Sequence, residues 1–261
     1  MKKRIGVLVS GSGTNLQALI DAQEKIIKSG EIVLVISSKN DAFALKRAEK
    51  AGINTTVLAR KDYCDSHQYS LALLGELKKN NLDVIVLAGF MSVLDECIPR
   101  AFENRIINVH PSLIPSFCGE GMYGLNVHRA ALDYGVKITG ATVHYVNEIV
   151  DGGKIIFQKA VEVLENDTPE SLQKRVMEQA EWIILPQAVE KVCSDLMEDK
   201  CMDEKEKKLT DAEIYEKFIK NSDFKDVELV GRCCVDCAID DIADIDDSEE
   251  DINSSKIKSD K

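Results

Sequence analysis

No apolar run in this sequence approaches the roughly 18 residues needed to cross a bilayer, and none predicts a membrane-spanning helix. Lys and Arg are nowhere clustered on the scale that binding a phosphate backbone requires, so nucleic acid is not an expected partner. The eight cysteines fall at irregular positions, which in an intracellular chain reads as free thiols rather than a disulfide framework. Their one cluster, Cys233-Cys234-Val235-Asp236-Cys237, has neither a second pair nor a histidine nearby to complete four ligands. Free thiols are expected there, and no metal. A leader is not expected either. Met1-Lys2-Lys3-Arg4 is basic, but the apolar run behind it, Ile5-Gly6-Val7-Leu8-Val9, is too short for a signal-peptide core and leads into glycines. A cytoplasmic protein is expected. Internal repeats are absent.

What the chain has is enough apolar residue, 44% of 261, for a sizeable core. Its charge is lopsided. Residues 194–261 hold 22 acids against 11 bases, a balance of −11 out of the total −12, which leaves residues 1–193 at −1. A body this close to neutral has no global field to gather polyanions, so any phosphate it binds must be held by local donors. The composition divides the chain into a domain over 1–199 and an acidic extension over 200–261. In that extension residues 210–220 could form a short helix, and residues 238–261, acidic and poor in aromatics, read as disordered.

Strand-like and helical patterns alternate through the first 193 residues. Strands are expected at 4–10, 32–37, 53–58, 83–88 and 105–109, with helices at 15–28, 41–51 (closed by Gly52), 66–79 and 95–102. This rhythm implies an α/β, Rossmann-like fold: a mostly parallel twisted sheet with helices on both faces. Two later strands, 140–146 and 154–163, flank Asp151-Gly152-Gly153 and suggest a hairpin-like antiparallel addition. Asp167-Thr168-Pro169-Glu170 reads as a helix start, with Asp167 or Thr168 as cap. That helix is expected to run to about Ile184, and another from Pro186 to near Glu198.

The chain is organised around Arg105-Ile106-Ile107-Asn108-Val109-His110-Pro111. It reads as a buried strand running into a polar loop, with Asn108 and His110 pointing the same way because they are two apart. An amide and an imidazole thus lie together where a strand ends, the place where open α/β sheets put ligands. Between the first strand and the first helix lies Ser10-Gly11-Ser12-Gly13-Thr14-Asn15-Leu16, a turn suited to bringing N–H groups to a phosphate. A dinucleotide fingerprint would need a third glycine where Leu16 stands. It would also need an acid after the second strand, where Ile36-Ser37-Ser38-Lys39 is found. A monophosphate is the better match. Leu87-Ala88-Gly89-Phe90-Met91-Ser92-Val93-Leu94 offers small residues and apolar walls for a flat heterocycle. Asp151 either serves the turn alone or faces His110, orienting the ring and favouring its charged form. His128 and His144 read as packing residues, in a helix and a strand respectively, and His67 has no distinctive context.

Taken together, the segments VLVSGSGTNLQALID, LAGFMSVL, INVHPSLIPSF, TGATVHYVNEIVDGG and QAEWIILPQAV resemble the glycinamide ribonucleotide formyltransferase family of purine biosynthesis over about residues 4–193. The resemblance implies direct formyl transfer, without a metal, from 10-formyltetrahydrofolate as co-substrate to the amine of glycinamide ribonucleotide. The family's catalytic triad falls on Asn108, His110 and Asp151, and its ribonucleotide contacts on Gly13, Thr14, Asn15 and Glu181. Its folate segment falls on Met91, Ser92, Val93 and Leu94, with Asn108 and the loop of Asn147, Glu148, Ile149, Val150 and Asp151 alongside. Partners are then small molecules only, in a monomer or homodimer. Three features depart from the family: Ser92 stands where many relatives carry Arg, the loop over residues 116–124 is long, and an Arg contact near 60–70 could be Arg60, Lys61 or His67. Formyltetrahydrofolate hydrolase, methionyl-tRNA formyltransferase and a non-catalytic member of the fold are the competing readings. The turn past the strand also suggests a cis bond at Ile114–Pro115.

Overall fold

The structure, a computed structural model, describes residues 1–206, within one compact unit, Met1–Lys208. The helix expected over 210–220, the disorder expected over 238–261 and the cysteine cluster at 233–237 lie outside the described residues. Seven strands form one sheet: β1 (Lys3–Val9), β2 (Gly30–Ser37), β3 (Asn54–Val57), β4 (Val84–Leu87), β5 (Ile106–His110), β6 (Ile138–Tyr145) and β7 (Ile155–Glu162), in the order β3-β2-β1-β4-β5-β6-β7. The first five are parallel. β6 runs the other way, antiparallel to both β5 and β7, so the hairpin-like addition expected at the DGG turn is present.

Period-two alternation divides the strand side chains between two cores. Val7, Val9, Val84, Val86, Ile107 and Val109 enter one, under α1 (Thr14–Ala22), α2 (Phe43–Lys50), α6 (Pro169–Val176) and α7 (Trp182–Glu206). Leu8, Leu34, Ile36, Ile85 and Ile106 enter the other, under α3 (Ser66–Lys79) and α4 (Cys97–Ala101). Helices therefore cover both faces, and α5 (Leu125–Tyr134) precedes β6. Among the described residues no helix is long and apolar enough to cross a membrane.

Two helix boundaries differ from expectation. The first helix stops at Ala22 rather than Lys28: Glu24 takes a left-handed φ of 67°, and the Gln23 amide bonds Gly30 O (2.9 Å) and Ile32 N (3.2 Å) at the edge of β2. Ile27 is buried all the same, through this turn and not through a helix face. The second concerns Pro186, expected to separate two helices. α6 passes instead into a π turn, Met177–Glu181, and then directly into α7, which contains Pro186. The carbonyl that the proline ring would crowd belongs to Trp182, where the wider turn joins the α-helix, and the junction absorbs what would break a regular helix. At the start of α6, Thr168 and Ser171 cap each other reciprocally.

Candidate active site

Asn108 and His110 project from β5 to the side of the sheet covered by α3 and α4, the side that Ile106 also faces. Antiparallel pairing sets His144 of β6 opposite Asn108 and Thr142 opposite His110. Beyond β6 the chain reverses at the DGG turn. Asp151 adopts φ 54°, and a Cβ on Gly153 would lie 1.7 Å from the Tyr145 carbonyl oxygen, so only glycine fits there. This turn returns Asp151 to β5. Its Oδ2 lies 3.5 Å from His110 Nδ1 and accepts the Gly119 N–H at 2.9 Å. Its Oδ1 lies 3.5 Å from Asn108 Nδ2 and 3.6 Å from His144 Nε2. The structure thus brings Asn108, His110 and Asp151 together and adds His144, which the sequence suggested was a packing residue. The cross-strand register that makes it a neighbour of Asn108 is a tertiary fact. The sequence hint was its place in a strand two residues from another polar side chain, Thr142.

Hydrogen bonding assigns donors and acceptors. His110 Nε2 donates to the Phe117 carbonyl (2.9 Å), and His144 Nδ1 donates to the Tyr145 carbonyl (2.8 Å). His144 Nε2 is then free to accept from Asn108 Nδ2 at 3.1 Å. Burial pulls the His110 pKa below its usual value. The Asp151 charge and the Phe117 carbonyl oppose this, while the His144 field adds to it. Asp151 thus favours the charged ring, as the sequence suggested, while desolvation works against it. For Asp151 itself burial disfavours the charge, yet the Gly119 N–H that it accepts and the neighbouring His110 and His144 rings hold the carboxyl below its ordinary range. Behind this group, His128 on α5 is wholly buried, with no hydrogen-bond partner among the described residues at either ring nitrogen, and burial drives its pKa down to about 4.

The glycine turn forms a second part of the site. Gly13 takes φ 71°, and a Cβ there would lie 2.6 Å from the Ala44 Cβ, so the close approach of α2 requires glycine. Arg47 holds the Ser12 carbonyl at 2.9 Å. Ser10 ties three strand ends together: its hydroxyl pairs with Ser38 Oγ (2.6 Å) and accepts the Met91 N–H (2.9 Å). Between these ends lies a cavity of about 260 Å³, lined by residues 10–15, Lys39, Ala88, Gly89 and Met91. Gly13, Thr14 and Asn15 thus line one cavity. Glu181 reaches the same place from the π turn, its Oε2 accepting from Asn15 Nδ2 at 2.7 Å. It is fully enclosed, and burial pushes its pKa up to about 7 against that hydrogen bond.

The residues expected to meet a folate lie on two loops over the α4 side of the sheet. Phe90, Leu94 and Val146 pack on the second core, and Arg100 of α4 reaches Glu148 at 3.5 Å. Met91, Val93, Ile149 and Val150 are left exposed, an apolar lining suited to a flat ring system. Asn147 Oδ1 accepts the Ile149 N–H at 3.0 Å and shapes the loop. Of the cations near 60–70, Arg60 is bound to Tyr63 O and Ser66 Oγ within its own turn. His67 pairs with Asp95 at 3.2 Å, just past Ser92 and the loop. Lys61 makes neither contact. The Ile114–Pro115 bond is cis, as expected.

Comparison with known proteins matches residues 3–189 to the formyl transferase family. A trifunctional purine biosynthetic protein adenosine-3 from Chironomus tentans is 45% identical over 204 residues, 77% of this chain and 14% of that protein. The chain thus spans about a seventh of the length of that relative. A phosphoribosylglycinamide formyltransferase from Haemophilus influenzae is 40% identical, with 70% of this chain and 84% of the relative covered. The crystal structure of glycinamide ribonucleotide transformylase 1 from Symbiobacterium toebii superposes with a TM-score of 0.70 at 41% identity, covering 74% of this chain and 89% of that one.

Proposed function

The chain belongs to the formyl transferase family, and on that premise we propose that it transfers the formyl group of 10-formyltetrahydrofolate to the amine of glycinamide ribonucleotide, a step of de novo purine biosynthesis. The observation that carries this reading is the convergence of Asn108, His110 and Asp151 on a sheet whose glycine turn lines a cavity of about 260 Å³. The folate supplies an activated formyl carbon and a leaving nitrogen. The rest falls to this chain's side chains. Gly13, Thr14 and Asn15 present N–H groups to the phosphate, with Glu181 beside them. Met91, Ser92, Val93 and Leu94, with the loop from Asn147 to Asp151, take the folate between apolar walls.

At the reacting centre, charge grows on the formyl oxygen as the amine attacks. His110 Nε2–H, bonded to the Phe117 carbonyl in the resting protein, is a donor of the kind that oxygen needs, and the substrate carbonyl takes the place of the Phe117 carbonyl. Asn108 Nδ2 contributes the hydrogen it directs at Asp151 over a long 3.5 Å, while its other hydrogen stays on His144. Each such donor is worth roughly 2.7–4 kcal/mol of barrier in comparable sites. The resting ring is neutral above its depressed pKa. Once the Phe117 carbonyl is displaced, the neutral ring carries its proton on Nδ1, toward Asp151, so Nε2 takes the proton that the amine releases, holds it toward the formyl oxygen and passes it to the folate nitrogen. The acceptors at both ring nitrogens, Asp151 and a carbonyl, stabilise the imidazolium in between. This reading makes residues 1–199 the catalytic domain of a cytoplasmic monomer or homodimer, acting on small molecules alone and without a metal.

The test mixes the purified full-length chain with 10-formyltetrahydrofolate and follows folate absorbance with glycinamide ribonucleotide, with methionyl-tRNA or with no acceptor. Turnover that needs the ribonucleotide is expected. Equal turnover without an acceptor, or turnover only with the tRNA, replaces the reading with one of its rivals. Silence in all three overturns it.

A further inference from the structure

The cavity at the glycine turn contains one charged group that the proposed reaction leaves without a task. Among the described residues that line it, Lys39 alone has an ionisable side chain. Its backbone is well tied. The Ser37 hydroxyl accepts the Lys39 N–H (3.1 Å) and donates to the Lys39 carbonyl (2.7 Å). The neighbouring Ser38 receives the Arg60 N–H on its carbonyl at 3.2 Å, donates its own N–H to Val9 O at 3.0 Å, and pairs through Oγ with Ser10. The base of the Lys39 side chain is thus fixed opposite the turn that opens α1. None of the ion pairs among the described residues includes Lys39.

The rest of the cavity is arranged for an anion. No acid lines it. α1 starts with no acid in its first turn and no side-chain cap, so its leading N–H groups have no side-chain acceptor. Asn15, on the cavity wall, gives its side-chain Nδ2–H to Glu181 and leaves only an acceptor, Oδ1, unpartnered, so its side chain offers the anion no donor. A near-neutral body adds no long-range attraction, so a phosphate dianion needs a full positive charge at the site itself. A lysine suits this because its ammonium is a compact charge on a stem that adjusts to the ligand.

We propose that Lys39 supplies the counter-charge that anchors the phosphate of the ribonucleotide substrate in this cavity. The inference rests on the reading of the cavity given above and extends it to a residue outside the glycine turn. Lys39→Met and Lys39→Arg, made in the full-length chain, test it. In the formyl-transfer assay Lys39→Met is expected to raise KM for glycinamide ribonucleotide by about tenfold to a hundredfold, the weight of a lost charge-assisted contact, with kcat near that of the parent. Lys39→Arg should restore most of the loss. The parent KM should rise with salt, and that of Lys39→Met should stay nearly flat. An unchanged KM in Lys39→Met, or a fall in kcat alone, overturns the proposal. Binding of ribose 5-phosphate, measured by calorimetry, separates the two levels. If the parent is inactive yet binds it and Lys39→Met does not, the reaction is misassigned and the anchor stands. If parent and Lys39→Met bind it equally, the anchor is wrong whatever the activity.

Discussion

Replacing Asp151 by Asn removes one negative charge and little else. The position has φ 54°, a conformation that asparagine tolerates almost as well as aspartate, so the backbone need not move. The amide oxygen can still accept the Gly119 N–H. What disappears is the charge 3.5 Å from His110 Nδ1, between side chains only 5% and 8% exposed. At an effective dielectric near 20, unit charges at that separation attract by about 5 kcal/mol, an upper limit of roughly 3,000-fold in rate if the imidazolium of the transition state loses it all. The amide dipole returns part of this, so kcat is expected to fall by about 10²- to 10³-fold. The KM for the ribonucleotide should hold, since its phosphate is bound elsewhere. The sign of the pH effect follows from the same contact. Asp151 raises a ring pKa that burial lowers; without it burial acts unopposed by that charge, and the acid limb of kcat/KM moves to lower pH. Steady-state kinetics by folate absorbance from pH 5 to 9, with a circular-dichroism melt to establish folding, make the measurement. A folded variant with kcat within threefold of the parent, or an acid limb moved to higher pH, would refute the electrostatic role.

Other perturbations separate the remaining parts. His144→Ala takes the acceptor from Asn108 Nδ2 and is expected to lower kcat by about tenfold to a hundredfold through misplacement, with substrate KM values little changed; parent-like kcat would return His144 to a packing role. Glu181 has a folded-state pKa raised from 4.5 to about 7. The native state therefore holds an extra proton in that window, and stability falls as pH rises through it, by on the order of 3 kcal/mol. Urea unfolding at pH 5 and pH 8 should show this drop in the parent and lose it in Glu181→Gln; parallel pH profiles would contradict the buried carboxyl. Gly153→Ala pushes a methyl onto the Tyr145 carbonyl, 1.7 Å away. It should cost about 3 kcal/mol or more of stability, seen as a lower Tm, and an unchanged melt would mean that the turn has room.

Much of this protein can be read from local pattern. Alternating apolar runs and helical faces, punctuated by Gly52 and the DGG turn, give the strand–helix succession because burial imposes those periods on each segment by itself. The Asn108–His110 pair is legible for the same reason, since residues two apart in a strand share a face. Gly13 is legible because a left-handed turn leaves few residue types to choose from. Contacts that join distant segments were settled only by tertiary structure. Asp151 meets His110 because β6 pairs with β5 in one register and the DGG turn folds back across it; a shift of one residue would turn His144 away from the site. The early end of α1, the passage of α7 through Pro186 and the enclosure of Glu181 each depend on neighbours that no window of sequence contains. The charge of His110 is the sharpest case. Sequence names the carboxylate that favours the imidazolium, but whether that outweighs desolvation depends on how deeply the ring is buried, and burial belongs to the folded whole.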